Sequence, residues 1–416
     1  MQTNNWNWDE GRRQIADLNA WRQAHHAVYE PVASPDGERF AAPILKEEEV
    51  FGVRLNEDLW PHEYEKAWSL RFLPDGRLFA LIRLDDMWTV GLDGERWEGE
   101  WDFAWNPKLT ADGGVALQIK DGVEYAMALD DKAWEQGFRS LRDFTISPDG
   151  KRMAAASQLE EVPEADIWKF FQGAFSVVVD GAAWEQRYIS CYSPCFSLDS
   201  ARVAAVVRTD IAEYTVAVDD VMWEQRFGML WEPSFGPDGG VVVPAKVEGG
   251  WTLVQDGAPL WSGRHMQLWR QRFSPDGKRL AAVAAPTYGR WTVVVDDTPW
   301  KHTFSDLVLP PTYSPDSQRL AAVVRDNGAW NIAVDDTPWG GGWDMVWEPR
   351  FSPDSSRVAA KVELAGRYHV ALDGELLPTA YEALWEPTFS PDGRKLLLRY
   401  QEDGKFVREV VAVDNI

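Results

Sequence analysis

Ten aspartates recur along this 416-residue chain at a near-constant spacing: Asp36, Asp75, Asp112, Asp149, Asp199, Asp238, Asp276, Asp316, Asp354 and Asp392. A set of carboxylates of that size could serve glycoside hydrolysis, which needs a paired acid and base, or calcium binding, which needs convergent oxygens. Each one, however, stands in the same wording, clearest in Phe273-Ser-Pro-Asp-Gly277. There the proline presets φ, the aspartate caps its own backbone and the glycine accepts positive φ. Identical placement in every copy therefore reads as turn chemistry. The six histidines (His25, His26, His62, His265, His302, His369) are scattered without metal-ligand spacing. His62-Glu63 starts like a zincin helix, but Lys66 stands where the second histidine belongs. No Gly-x-Ser-x-Gly elbow or phosphate-cradling glycine loop is present. Cys191 and Cys195 are too few for an iron–sulfur cluster, no Cys-x-x-Cys-His haem attachment exists, and the pair reads as two buried thiols. The expectation is a chain without catalytic residues, metal or cofactor.

The elements that carry these aspartates follow from their steps of 39, 37, 37, 50, 39, 38, 40, 38 and 38 residues. A fixed period of that length marks one supersecondary module repeated, each unable to bury its apolar faces alone. Within one copy, the turn at Phe273–Gly277 precedes a short apolar strand over 279–284. The β-branched strand Trp291–Asp296, a second turn at Asp296-Asp-Thr-Pro-Trp300 and a fourth strand follow. Four short strands without a helix make one propeller blade. The fold expected is all-β, a β-propeller of ten four-stranded repeats of about 38 residues. A single ten-bladed ring is favoured, with two smaller propellers as the alternative. Val410–Asp414 reads as a third strand lacking its successor, and Trp21, followed by Tyr29-Glu30-Pro31, supplies one from the N-terminal side. The two termini thus share a closing blade, with 1–20 as a tail and 21–416 as the propeller.

Tryptophan, with 24 copies, falls largely in three registers. One lies five residues before the strand-three aspartate (Trp88, Trp251, Trp291), one at strand four (Trp60, Trp97, Trp300) and one eight or nine residues later (Trp68, Trp105, Trp385). Strict repetition favours rings wedged between neighbouring sheets over an electron-hopping chain or sugar-stacking wall.

The net charge of −24 argues against nucleic acid and against electrostatic docking on an anionic membrane. No stretch reaches the roughly 18 apolar residues of a membrane span, and residues 1–21 carry no signal-peptide core. The chain reads as cytoplasmic. Symmetry breaks at the 50-residue step, where an insertion over 158–174 carries Ile167, Trp168, Phe170 and Phe171 behind an acidic stretch. It reads equally as a partner-binding loop and as a plug folded over the fold. The N-terminal Trp6 and Trp8 form a second candidate protein-binding element.

The Phe-Ser-Pro-Asp-Gly-Lys-Arg-Leu-Ala wording resembles the WD-like repeats of the TolB and prolyl oligopeptidase propellers, without room for the latter's hydrolase domain. Over its whole length, with repeated Trp-Glu-Pro and Asp-Asp-x-Pro-Trp, the chain also resembles the D subunit of the Tmc transmembrane redox complex of sulfate-reducing bacteria. That resemblance implies a non-catalytic cytoplasmic accessory subunit of a membrane-bound electron-transfer complex in sulfate respiration. Its implied partners are cytochrome b and iron–sulfur subunits. The residues leave open a carbohydrate-active or ligand-binding propeller, or a generic protein-interaction platform.

Overall fold

A computed structural model describes residues 5–161 and 166–415. The fold is all-β: ten four-stranded antiparallel sheets form a β-propeller of ten blades. Blades are numbered here in chain order. Blade 5 is representative, with strands Ser190–Phe196, Val203–Asp210, Glu213–Val218 and Val221–Met222 in sequential order across the sheet. Strand two is the most apolar and most buried in every blade, so Val203–Val207 and Leu396–Leu398 read as near-continuous core. By proximity the chain divides into two compact units. One comprises residues 1–83, 91–95 and 272–416, the other residues 84–90 and 96–271.

The repeated aspartates hold the turn between strands one and two. In blades 1, 4, 7, 8, 9 and 10 the serine two residues earlier donates its hydroxyl to the aspartate at 2.5–2.6 Å. The same carboxylate accepts the backbone N–H two residues on, as from Lys278 to Asp276 at 3.1 Å. A second set of aspartates closes the turn between strands three and four. In Asp296-Asp297 and Asp335-Asp336 both residues have positive φ, the signature of a type I′ hairpin that matches the strand twist. The first of each pair accepts the N–H that opens strand two of its own blade, 2.8 Å from Leu280 to Asp296 and from Leu320 to Asp335.

The tryptophans pack as the repetition predicts. Trp60 is buried against blade 2, where a Cβ on Gly91 would lie 2.8 Å from the indole. Trp134 and Trp339 cover Gly181 and Gly374 of the following blades in the same way. Strand four is shorter than expected. It is two residues long in blades 1 to 9, and in blades 1 to 8 the tryptophan follows it rather than opening it, with Leu377 in that place in blade 9. A fourth aromatic register, absent from the sequence reading, lies four residues after that tryptophan. Tyr64, Trp101, Phe138 and Trp343 belong to it, and their backbones bridge the first register at Phe51, Trp88, Tyr125 and Trp330. The rings of Trp60 and Tyr64, or Trp97 and Trp101, meet edge to face at 6.3 and 6.5 Å.

Blade 10 unites the two termini, but through different residues from those the sequence indicated. Its outermost strand is Gly11–Asp17, paired with Lys405–Ala412 from Gly11–Val410 to Asp17–Lys405. These residues fall inside the segment assigned as a tail over 1–20. Trp21 lies instead on the helix α1, Leu18–Ala24, buried beside Phe40 with ring centroids 5.6 Å apart. The reason is local: Asp17 caps α1 by accepting the N–H of Ala20 at 3.0 Å, and Leu-Asn-Ala-Trp-Arg-Gln-Ala is rich in helix formers.

Candidate functional site

The insertion stands between strands two and three of blade 4, Met153–Gln158 and Phe175–Val179. Beyond the segment 162–165, which lies outside the described residues, it forms a short helix α2, Ile167–Gln172, capped by the Asp166 carboxylate on the N–H of Lys169 at 2.9 Å. The sequence reading made this a loop, because six residues are too few for periodicity to register. Its C-terminal end is fixed. Gly173 has φ +86°, and a Cβ there would lie 2.7 Å from the Tyr188 backbone, so only glycine lets the chain return. Ala174 and Phe175 then both donate to the Tyr188 carbonyl at 3.0 Å.

On this anchored stalk Trp168 is 83% exposed, while Phe170 and Phe171 are 38% and 39% exposed with their rings edge to face at 5.5 Å. The side chain of Ile167 lies outside the described residues. Lys169 reaches Glu160 at 3.8 Å and Arg139 reaches Glu161 at 3.6 Å. In the same unit, a cavity of about 620 Å³ is lined by Glu124, Phe138, Arg139, Gln158, Leu159 and Arg187, among others. Neighbouring hairpins of the same unit add apolar tips: Val123 of blade 3 is 85% exposed and Ile211 of blade 5 is 65% exposed. An exposed tryptophan with flanking phenylalanines is suited to desolvation by a partner.

Trp6 and Trp8 sit elsewhere, in the other unit. They are half-buried and stacked at 6.0 Å, and the Trp8 carbonyl accepts from Lys395 Nζ at 2.9 Å. Arg408 also donates to the Asn7 carbonyl. The segment is thus docked on blade 10. The structure does not bring Trp6 and Trp8 together with Trp168 in one compact unit.

The repeated aspartates and the two cysteines are accounted for by folding. Asp149, Asp276, Asp316 and Asp392 are held below the usual carboxylate range, chiefly by the neighbouring serine hydroxyl. A glycosidase general acid needs the opposite displacement. Cys191 and Cys195 are both free thiols, pushed up to about 12 by burial. Among the described residues no group of three or more His, Cys, Asp or Glu is placed to hold a metal ion, and no helix is long and apolar enough to cross a membrane.

Propellers carry many unrelated functions, so the fold itself assigns none. No family model matches the chain, and no curated protein matches it. Among solved structures it is similar to "Crystal structure of the eukaryotic initiation factor", 13% identical, covering 96% of this chain and 98% of that one with a TM-score of 0.49. It is also similar to TolB from Acinetobacter baumannii, 17% identical, covering 73% of this chain and 78% of that one with a TM-score of 0.31.

Proposed function

We propose that this protein is a non-catalytic docking platform whose working surface is the blade 4 insertion. The observation that carries the reading is α2: on a fold whose repeated aromatics are mostly buried or half-buried, one blade carries about twelve extra residues, within 158–173, that present Trp168, Phe170 and Phe171 together to solvent. The net charge of −24 favours a partner with a cationic rim around an apolar groove. The sequence resemblance to the Tmc D subunit gives that partner a setting. The platform is then a cytoplasmic accessory subunit of a membrane-bound electron-transfer complex in sulfate respiration, held at the membrane by its cytochrome b and iron–sulfur neighbours.

The test is copurification from membranes of a host that makes such a complex. Intact protein is expected to bring down haem-staining and iron–sulfur subunits, while a variant lacking 160–171 folds but loses them. Retention of all partners by the deletion would discard the insertion as the interface. Capture of partners without haem or iron–sulfur would keep the platform and discard the redox setting.

A further inference from the structure

Tenfold repetition makes buried exceptions stand out. Seven residues after the turn aspartate, strand two carries an apolar residue in blades 1 to 8, such as Val206, Val283 and Val323. Blades 9 and 10 carry Lys361 and Arg399 there. A cationic residue at a core position of two successive blades has no role in the repeat itself, since eight blades fold without it.

The surroundings of Arg399 are specific. It is only 7% exposed, and it donates through one Nη to the Ser34 carbonyl of blade 1 at 3.0 Å and through the other to the Glu386 carbonyl at 2.8 Å. Its Nε–H meets no acceptor. Two of its five N–H bonds are therefore engaged. Burial pulls the guanidinium down to about 10, opposed by Glu386 and Asp36 and reinforced by the neighbouring Arg350. Lys361 lies over the rings of Trp347 and Tyr368 at 4.1 and 4.5 Å, and Glu386 also acts on its ammonium. The Glu386 carboxylate thus acts electrostatically on both Arg399 and Lys361, with Arg350 beside Arg399, in a chain whose overall charge is strongly negative.

Arg350, Glu386 and Arg399 line a cavity of about 380 Å³ within the unit that holds blades 8 to 10 and blade 1. Five of its nine lining residues are proline or phenylalanine, with Phe351 from blade 9 and Phe389 from blade 10 among them. Two arginines and apolar walls in the same lining select an anion with an apolar body over a fully hydrated inorganic one.

We propose that this cavity is a binding site for a small organic monocarboxylate. Its carboxylate is held between Arg399 and Arg350, and its hydrocarbon part lies against Phe351 and Phe389. Glu386 limits the affinity and sets the preference for a single negative charge. The site is independent of the blade 4 insertion, so its failure leaves the docking platform standing.

The test uses full-length protein and benzoate as probe, followed by isothermal titration, with benzamide and inorganic phosphate as controls. Benzoate is expected to bind, and benzamide and phosphate to bind at least roughly tenfold more weakly. Arg350→Gln, on an exposed side chain, should leave the thermal midpoint unchanged and weaken benzoate about tenfold, whereas Glu386→Gln should tighten it several-fold. Tightening is an outcome that a purely structural Glu386 would not give. Equal binding of benzoate and benzamide, phosphate binding as tight as benzoate, an unaltered affinity in Arg350→Gln, or no benzoate binding would each overturn the site.

Discussion

Blade 4 and blade 10 break the repeat in opposite ways. Blade 4 adds residues at a hairpin and exposes apolar rings, with Trp168 83% exposed. Blade 10 takes its outer strand from the N-terminal segment and buries charge: Arg408 is 1% exposed, donates to the Asp36 carbonyl at 2.8 Å and forms an ion pair with Glu38 at 3.0 Å. The first change leaves surface for another molecule. The second joins blade 10 to blade 1, where Arg399 and Arg408 pack on Gly37 so closely that a Cβ there would lie 3.0–3.1 Å from their stems. A departure at the surface therefore signals a partner, and a departure in the core signals closure or a ligand.

The contrast can be broken most forcefully at the closing blade. Removing residues 1–16 strips the strand from Lys405–Ala412 and leaves an open edge, so a loss of about 5 kcal/mol or more is expected in urea unfolding, with aggregation on size exclusion. A stability within 1 kcal/mol of the intact chain would show that the N-terminal strand is not what closes the blade. Arg408→Ala leaves Glu38 and the Asp36 carbonyl without their buried donor and should cost about 3 kcal/mol in the same assay.

Ordinary blade junctions should respond less. Asp131 of blade 3 accepts the N–H groups of Glu98 and Gly99 of blade 2, both at 2.9 Å. Asp131→Gly keeps the positive φ that blades with Asp-Gly turns already use, so the loss isolates the cap at about 1 kcal/mol. Trp168→Ala, at the other end of the comparison, should shift stability by less than about 0.5 kcal/mol while reducing copurified partner. A large stability loss there would mean that α2 packs as a plug.

The sequence carried the blade and its turns because those depend on residue identity at fixed offsets. Ser274, Asp276 and Gly277 each have one conformational task, repeated in the same letters. It did not carry the fourth aromatic register, because Tyr64, Trp101, Phe138 and His265 do one backbone job with four different side chains. The closing strand was hidden for a related reason. Gly-Arg-Arg-Gln-Ile-Ala-Asp shows little alternation, since only Ala16 is fully buried and the rest of the strand is an edge. The insertion was legible as the place where the period fails, and α2 was not, being too short to show a helical pattern. Arg399 was visible as a letter, but the cavity it lines needs residues of three blades at once.

The pairing of Gly11–Asp17 with Lys405–Ala412 also sets a schedule for synthesis. About 390 residues separate the two strands, so at 5–20 residues per second the first waits roughly 20–80 s for the second to leave the ribosome. During that interval it is an unpaired β-edge in a crowded compartment. Arg12 and Arg13, which later meet Glu402 and Glu38, keep that edge charged and disfavour pairing with the same strand on a neighbouring nascent chain.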